Sequence, residues 1–146
     1  MRVRRVSVAL ASVIAALAIP TLAAPAHAAA NSEVRLTTTW AKAVAGWTWR
    51  NDRLDPVGLS IQDTRADGYP VGIQLVTESS AEGRHVWPLH TVTTGSGTGL
   101  NHQTFAITGR GPLNAWIRIC KVKGGSIYTC LDSEVKRNPI DDSRTS

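Results

Sequence analysis

Apolar side chains in this chain recur at every second position. They do so in short runs separated by Gly, Pro, Asn and Asp, and beyond the first 28 residues no stretch shows the i, i+3, i+4, i+7 spacing of an amphipathic helix. A period of two sends alternate side chains to opposite faces of an extended backbone, which restricts the chain to half-buried strands. Val34, Leu36 and Trp40 alternate with polar residues over 33–41, and Trp47 and Trp49 share one face of 43–50. Leu59 and Ile61 lie on one side of 57–63, and Val71, Ile73 and Leu75 on one side of 70–78. The turn residues Ala66-Asp67-Gly68 between these two runs predict that they form a hairpin. Segment 84–92 is interrupted by Pro88, which lacks a backbone donor and belongs on an edge or at a bulge. After the Thr, Ser and Gly loop at 93–99, Phe105 and Ile107 share one face of 103–108. Leu113, Ala115, Ile117 and Ile119 line the next strand, with Ile127, Thr129 and Leu131 across Gly124-Gly125. The expected fold is therefore all-β, an antiparallel β-sandwich or open barrel of about seven or eight short strands with one hairpin disulfide.

The disulfide selects a register for that last hairpin. Cys120 and Cys130 are the only cysteines. A two-residue Gly124-Gly125 loop would pair Cys120 with Thr129 and put the sulfurs on opposite faces, where they cannot bridge. A three-residue loop of Gly124, Gly125 and Ser126 sets Cys120 directly across from Cys130, within bridging distance. The same register places Arg118 opposite Asp132, Ile119 opposite Leu131 and Val122 opposite Tyr128, joining charge to charge and apolar to apolar. Closing so short a loop contributes about 2–3 kcal/mol in the chain-entropy model.

A disulfide also speaks to compartment. Arg2, Arg4 and Arg5 precede an apolar run from Val6 to Ile19, followed by Pro20, Pro25 and Ala26-His27-Ala28. This is the order of a secretory signal peptide, and the run is shorter than the roughly 20 residues that span a bilayer as a helix. The reading divides the chain into a signal peptide at 1–28, a secreted β-sandwich domain at 29–135 and a polar, frayed C-terminal tail at 136–146. Removing the leader changes the charge. The whole chain carries 16 basic and 11 acidic residues, net +5, but three of the basic residues lie in the leader, so the exported part carries +2. Without a basic stripe it is a poor nucleic-acid ligand. A released monomer with no membrane span is expected.

Asp63-Thr64-x-Ala66-Asp67-Gly68-x-x-Val71, followed by the Cys120–Cys130 hairpin and Asn138-Pro139, resembles small secreted single-domain proteins of actinomycetes. The likeness extends over most of the exported chain. It implies the secreted β-fold and carries no activity, cofactor or site with it.

The remaining motifs point away from catalysis. Asp63-x-x-x-Asp67-Gly68 has part of a calcium loop, but Arg65 stands between the aspartates and the closing Glu is missing, so a turn accounts for it. His85, His90 and His102 are the histidines beyond the leader. His85 and His90, five apart, fall on opposite faces of a regular strand unless Pro88 bends the chain. No nucleophile elbow or His-Glu-x-x-His zinc motif is present, and no cofactor or metal is expected. Five tryptophans against one phenylalanine is a distinctive choice, since indole both fills cores and anchors interfaces. Trp116 and Arg118 alternate with Ile117 and Ile119, and together with Tyr128 they form the expected solvent-facing recognition surface, for an extracellular protein or a glycan. The competing role for Trp116 is to pack over the disulfide. The expected function is non-catalytic, an extracellular binding or surface-associated module, with a small secreted hydrolase or a protease-inhibitor-like protein as alternatives.

Overall fold

The computed structural model describes residues 29–93 and 95–140; the leader and residues 141–146 lie outside the described residues. Ten strands follow in chain order: β1 (Ala30–Thr37), β2 (Ala41–Trp49), β3 (Arg53–Asp63), β4 (Val71–Ser79), β5 (Gly83–Val86), β6 (His90–Val92), β7 (Gly99–Ile107), β8 (Asn114–Lys123), β9 (Ser126–Asp132) and β10 (Lys136–Arg137). All pairings are antiparallel. One sheet has the order β1-β2-β3-β7. The other runs β10-β8-β4-β5, with β6 also on β4 and β9 also on β8. The two sheets curl around one apolar core as a sandwich, or half-barrel.

The alternation read from the sequence supplies that core. Val34, Ala43, Ala45, Trp47, Trp49, Leu59 and Ile61 of the first sheet meet Val71, Ile73, Leu75, Ala115, Ile117 and Ile119 of the second, all buried. Trp47 and Trp49 pack edge to face at 5.9 Å. The Trp49 indole N–H is satisfied by Ser32 Oγ at 2.7 Å on the neighbouring strand, whereas the buried Trp47 indole N–H has no hydrogen-bond partner among the described residues.

Several expectations are corrected by the structure. Segments 57–63 and 70–78 do not form a hairpin: β3 pairs with β2 and β7, whereas β4 pairs with β5, β6 and β8. Their apolar faces do meet, but across the interlayer space, and the Asp67-Gly68 turn carries the chain from one sheet to the other. Gly68 still takes the left-handed backbone expected of it, at φ 75°.

Trp40 is not part of the first strand, which ends at Thr37. It sits in a turn where Thr38 Oγ1 accepts from the N–H groups of Trp40 and Ala41. The tail is not frayed at its start, because β10 pairs with β8 and Asn138 is buried, donating to the Pro112 carbonyl at 2.7 Å. Phe105 and Ile107 do share a face of β7, but it is the solvent face, since Leu100 and Ala106 pair with core residues Ile61 and Leu54 and thereby fix the inward set.

The last correction concerns the hairpin. Cys120 pairs with Cys130, Arg118 with Asp132 and Ile119 with Leu131, as expected, but Val122 lies opposite Ile127 and not Tyr128. The loop has two residues, Gly124 and Gly125, at φ 57° and 81°, the positive values of the turn that matches strand twist. A bulge at Tyr128 absorbs one residue and restores the disulfide register, which a simple ladder would have missed.

Candidate functional site

Pro88 divides the edge of the second sheet into β5 and β6. The pairing Val76↔Val86 before it becomes Val71↔Val92 after it, a one-residue slip. That slip reverses the alternation between the two short strands. His85 lies across from Thr77 and His90 across from Ile73, so both are on the inner side and the bend overrides the spacing-based expectation that they part.

The break also swings Trp87 under the sheet. Its backbone N–H donates to the Leu75 carbonyl at 3.0 Å and its carbonyl accepts from Gln74 Nε2 at 3.1 Å. Its indole N–H reaches Thr77 Oγ1 at 3.0 Å. Two hydrogen bonds at its main chain and one from its indole fix this residue, and the His85 imidazole braces its ring edge-on at 4.6 Å.

Opposite β6 stands β7, the edge strand of the first sheet. His102 is paired across the ladder with Leu59, which turns it inward. Its imidazole stacks on that of His90, ring centres 3.8 Å apart and 27° from parallel. Each strand is hydrogen-bonded to its own sheet, so the seam between them is closed here by side chains.

Beneath that pair opens a cleft of about 280 Å³ lined by Leu59, Leu75, Trp87, Pro88, His90, His102, Thr104 and Phe105. Apolar walls with a few convergent polar groups are the usual composition of a small-molecule site. Burial, followed by the nearby His102, holds the His90 pKa below its ordinary value. A larger hollow of about 400 Å³ lies beside Trp49. Its polar walls are turned on one another, with Arg53 on Asp52 at 3.0 Å and Arg50 on the Asp55 carbonyl at 2.8 Å.

Of the three residues expected to form a recognition face, Trp116 and Arg118 share the outer side of the second sheet and Tyr128 lies apart. Trp116 is buried, at 7% exposure, on the outer side of the second sheet with Val76, Cys120 and Val122. Arg84 covers its ring at 5.2 Å. Arg118 grips Asp132 through both guanidinium nitrogens at 2.6 and 2.8 Å, and Arg84 approaches the same carboxylate at 3.6 Å. The hydrogen bonds and charge of Arg118 draw the Asp132 pKa down, with Arg84 and Trp116 adding in the same sense.

Tyr128, at 64% exposure, does not join them. It stacks on Tyr69 at 5.9 Å beside Lys123, because the bulge turns it out of the alternation that Trp116 and Arg118 follow. The Asp63 and Asp67 side chains are spent on the turn. Asp63 accepts from the Arg65 N–H, while Asp67 accepts from Tyr69 and pairs with Lys121 at 2.6 Å. Among the described residues no cluster of three His, Cys, Asp or Glu side chains is placed to hold a metal.

Sequence reasoning reached His90 and His102 as isolated residues and passed over Trp87 and Leu75 as parts of a site. The one local signal was Trp87-Pro88 interrupting a strand between two histidines.

Comparison with known proteins returned nothing similar: no family model, no curated protein and no solved structure matches this chain.

Proposed function

We propose that the chain is a non-catalytic extracellular binding protein whose ligand site is the cleft at the β6–β7 seam. The observation that carries this reading is the cleft lining, in which Leu59, Leu75, Trp87, Pro88 and Phe105 provide the walls and His90, His102 and Thr104 the only polar side chains. Its volume is just under the roughly 300 Å³ at which drug-sized sites begin, which suits a single ring or a short chain carrying one polar group. Trp87 is held in place before any ligand arrives, so less ordering entropy opposes binding.

The hydrolase alternative needs an imidazole oriented by a carboxylate. At this seam the two imidazoles face each other, and no carboxylate among the described residues is hydrogen-bonded to either. Export follows from the leader and agrees with the hairpin disulfide and with the resemblance to small secreted actinomycete proteins. The exported form begins at Ala29, which an intact-mass measurement on culture supernatant tests. No helix among the described residues is long and apolar enough to cross a membrane.

The test of the site is nuclear magnetic resonance on the exported form with a panel of single-ring and short-chain compounds. Binding shifts the Trp87 indole N–H and the ring protons of His90 and His102 together. A panel whose every hit instead moves residues around Tyr128 and Lys123, leaving those signals in place, overturns the assignment.

A further inference from the structure

The seam joins two imidazoles 3.8 Å apart to an otherwise apolar cleft. Its surroundings contribute little charge. The inner face of β3 presents Leu59 and Ile61 beside β7, with Asp63 four residues beyond Leu59 and engaged by the Arg65 N–H. The inner face of β4 presents Val71, Ile73, Leu75, Thr77 and Ser79, none of which ionises; Glu78 lies on the outer side, bonded to Asn114. On β5 the ionisable neighbour is His85, which reaches the cleft wall through Trp87, and Arg84 is turned to Trp116 and Asp132 on the outer side. Nothing on these walls compensates a proton placed on His90 or His102.

Two imidazoles at this separation do not both charge readily, since like charges in a half-buried site repel. A ligand carboxylate changes that balance. It accepts hydrogen bonds and donates none, so it requires N–H donors, and a protonated imidazole supplies them at both ring nitrogens. The anion also supplies the opposite charge that the cleft walls lack. A neutral ligand gains nothing from protonation of the pair, and a cation is opposed by it.

We propose that the cleft is a site for small amphipathic carboxylic acids, aryl-alkanoic or short-chain, whose apolar body lies against Trp87, Leu59 and Leu75 and whose carboxylate is held by the His90–His102 pair as that pair takes up a proton from solvent. This rests on the cleft being the binding site and adds the ligand class and its coupling to pH. Uptake is favoured by mild acidity, and release by a return to neutrality or above. The lowered pKa of His90 in the free protein agrees in direction, because an imidazole that burial disfavours charging has a proton to gain when an anion fills the cleft.

The experiment compares 3-phenylpropanoate with 3-phenylpropanamide, of similar size but neutral, by calorimetry on the exported chain at pH 5.5 and pH 7.5, in two buffers of different ionisation enthalpy. The acid is expected to bind about tenfold more tightly at the lower pH, the effect of a single linked proton titrating within that interval, and to take up a proton at the higher pH. The amide is expected to show neither effect. His102→Gln removes one member of the pair at a half-buried position. On its own it should diminish the proton uptake and the pH dependence, because His90 stays, and combined with His90→Gln it should abolish both while the Trp87 indole signal still reports ligand in the cleft.

Equal affinity for acid and amide at both pH values, with no proton uptake, overturns the acid preference and leaves the cleft as a binding site. Proton uptake that survives the double change of His90→Gln with His102→Gln also overturns it, by placing the proton elsewhere. If neither compound, nor any of the wider panel, moves the Trp87 indole and the two histidine rings, the cleft assignment falls as well.

Discussion

The β8–β9 hairpin and the β6–β7 seam lie on opposite sides of the second sheet and are closed by different means. On the hairpin side, backbone pairing, a disulfide and a bidentate Arg118–Asp132 pair all act within a short stretch of chain. On the seam side, two imidazoles bridge strands that belong to separate sheets. The first closure is local and redundant. The second depends on how two sheets face each other, and it leaves a cleft beneath it. A site that must admit a ligand is better built at the second kind of edge, where opening sacrifices no backbone hydrogen bond and no covalent bond.

Breaking the hairpin side should have the larger effect. Trp116→Ala removes a buried indole from the outer side of the second sheet and the aromatic surface under Arg84, and should cost about 3–5 kcal/mol, as large-to-small changes at buried aromatics do. Chemical denaturation with the fold monitored by circular dichroism measures it. A loss below about 1 kcal/mol would contradict the packing role and return Trp116 to the recognition surface expected from sequence. Next in size, Cys120→Ser should cost about 2–3 kcal/mol through the lost cross-link in the unfolded chain, a shift in midpoint that reducing agent should reproduce in the unmodified protein.

How much of this difference was legible in advance follows from the same two edges. Cys120↔Cys130 and Arg118↔Asp132 were readable because hairpin partners are close in sequence and a covalent bond fixes the register. The bulge at Tyr128 was not, since counting residues distinguishes a longer loop from a bulge only if backbone angles are known. The inward sets of β2, β4 and β8 were readable from alternation alone. Alternation reports which face a residue joins and is silent on which strand it meets, and for that reason the β3–β4 crossover was mistaken for a hairpin. His90 and His102 belong to strands in different sheets, twelve residues apart and separated by a glycine-rich loop, so no local pattern could bring them together.

The seam can be disturbed from its outer side through Gly72, which pairs with Thr91 on β6 and is roofed by Leu89. A β-carbon here would stand 2.7 Å from Leu89 Cδ1 and 3.2 Å from the His90 carbonyl. Gly72→Ala should therefore push the β5–β6 connection outward at about 1–3 kcal/mol, a typical overpacking cost. Its signature differs from that of the hairpin changes. Resonances of His90 and Trp87 should shift while those around the disulfide stay in place, and the opposite pattern would mean that the two sides are not independent.

The smallest expected effect is the pH dependence of the empty seam. An unfolded imidazole titrates near 6.5, whereas His90 in the fold titrates lower, through burial and the proximity of His102. The unfolded chain then binds more protons than the native one across the interval between the two values, so stability rises with pH through that interval and falls on acidification. The carboxylates behave differently. Asp67 and Asp132 are drawn below their ordinary 3.8 by Lys121 and Arg118 respectively, so the stability they contribute is lost only in more acidic solution. The two windows are separate, and a decline in melting temperature between pH 7.5 and pH 5 isolates the histidines. His102→Gln relieves the charge repulsion on His90 and should reduce that decline without removing it, because the burial of His90 remains. A decline unchanged by His102→Gln would show that the two rings do not sense each other's charge, and the seam would then be a packing contact with no electrostatic coupling.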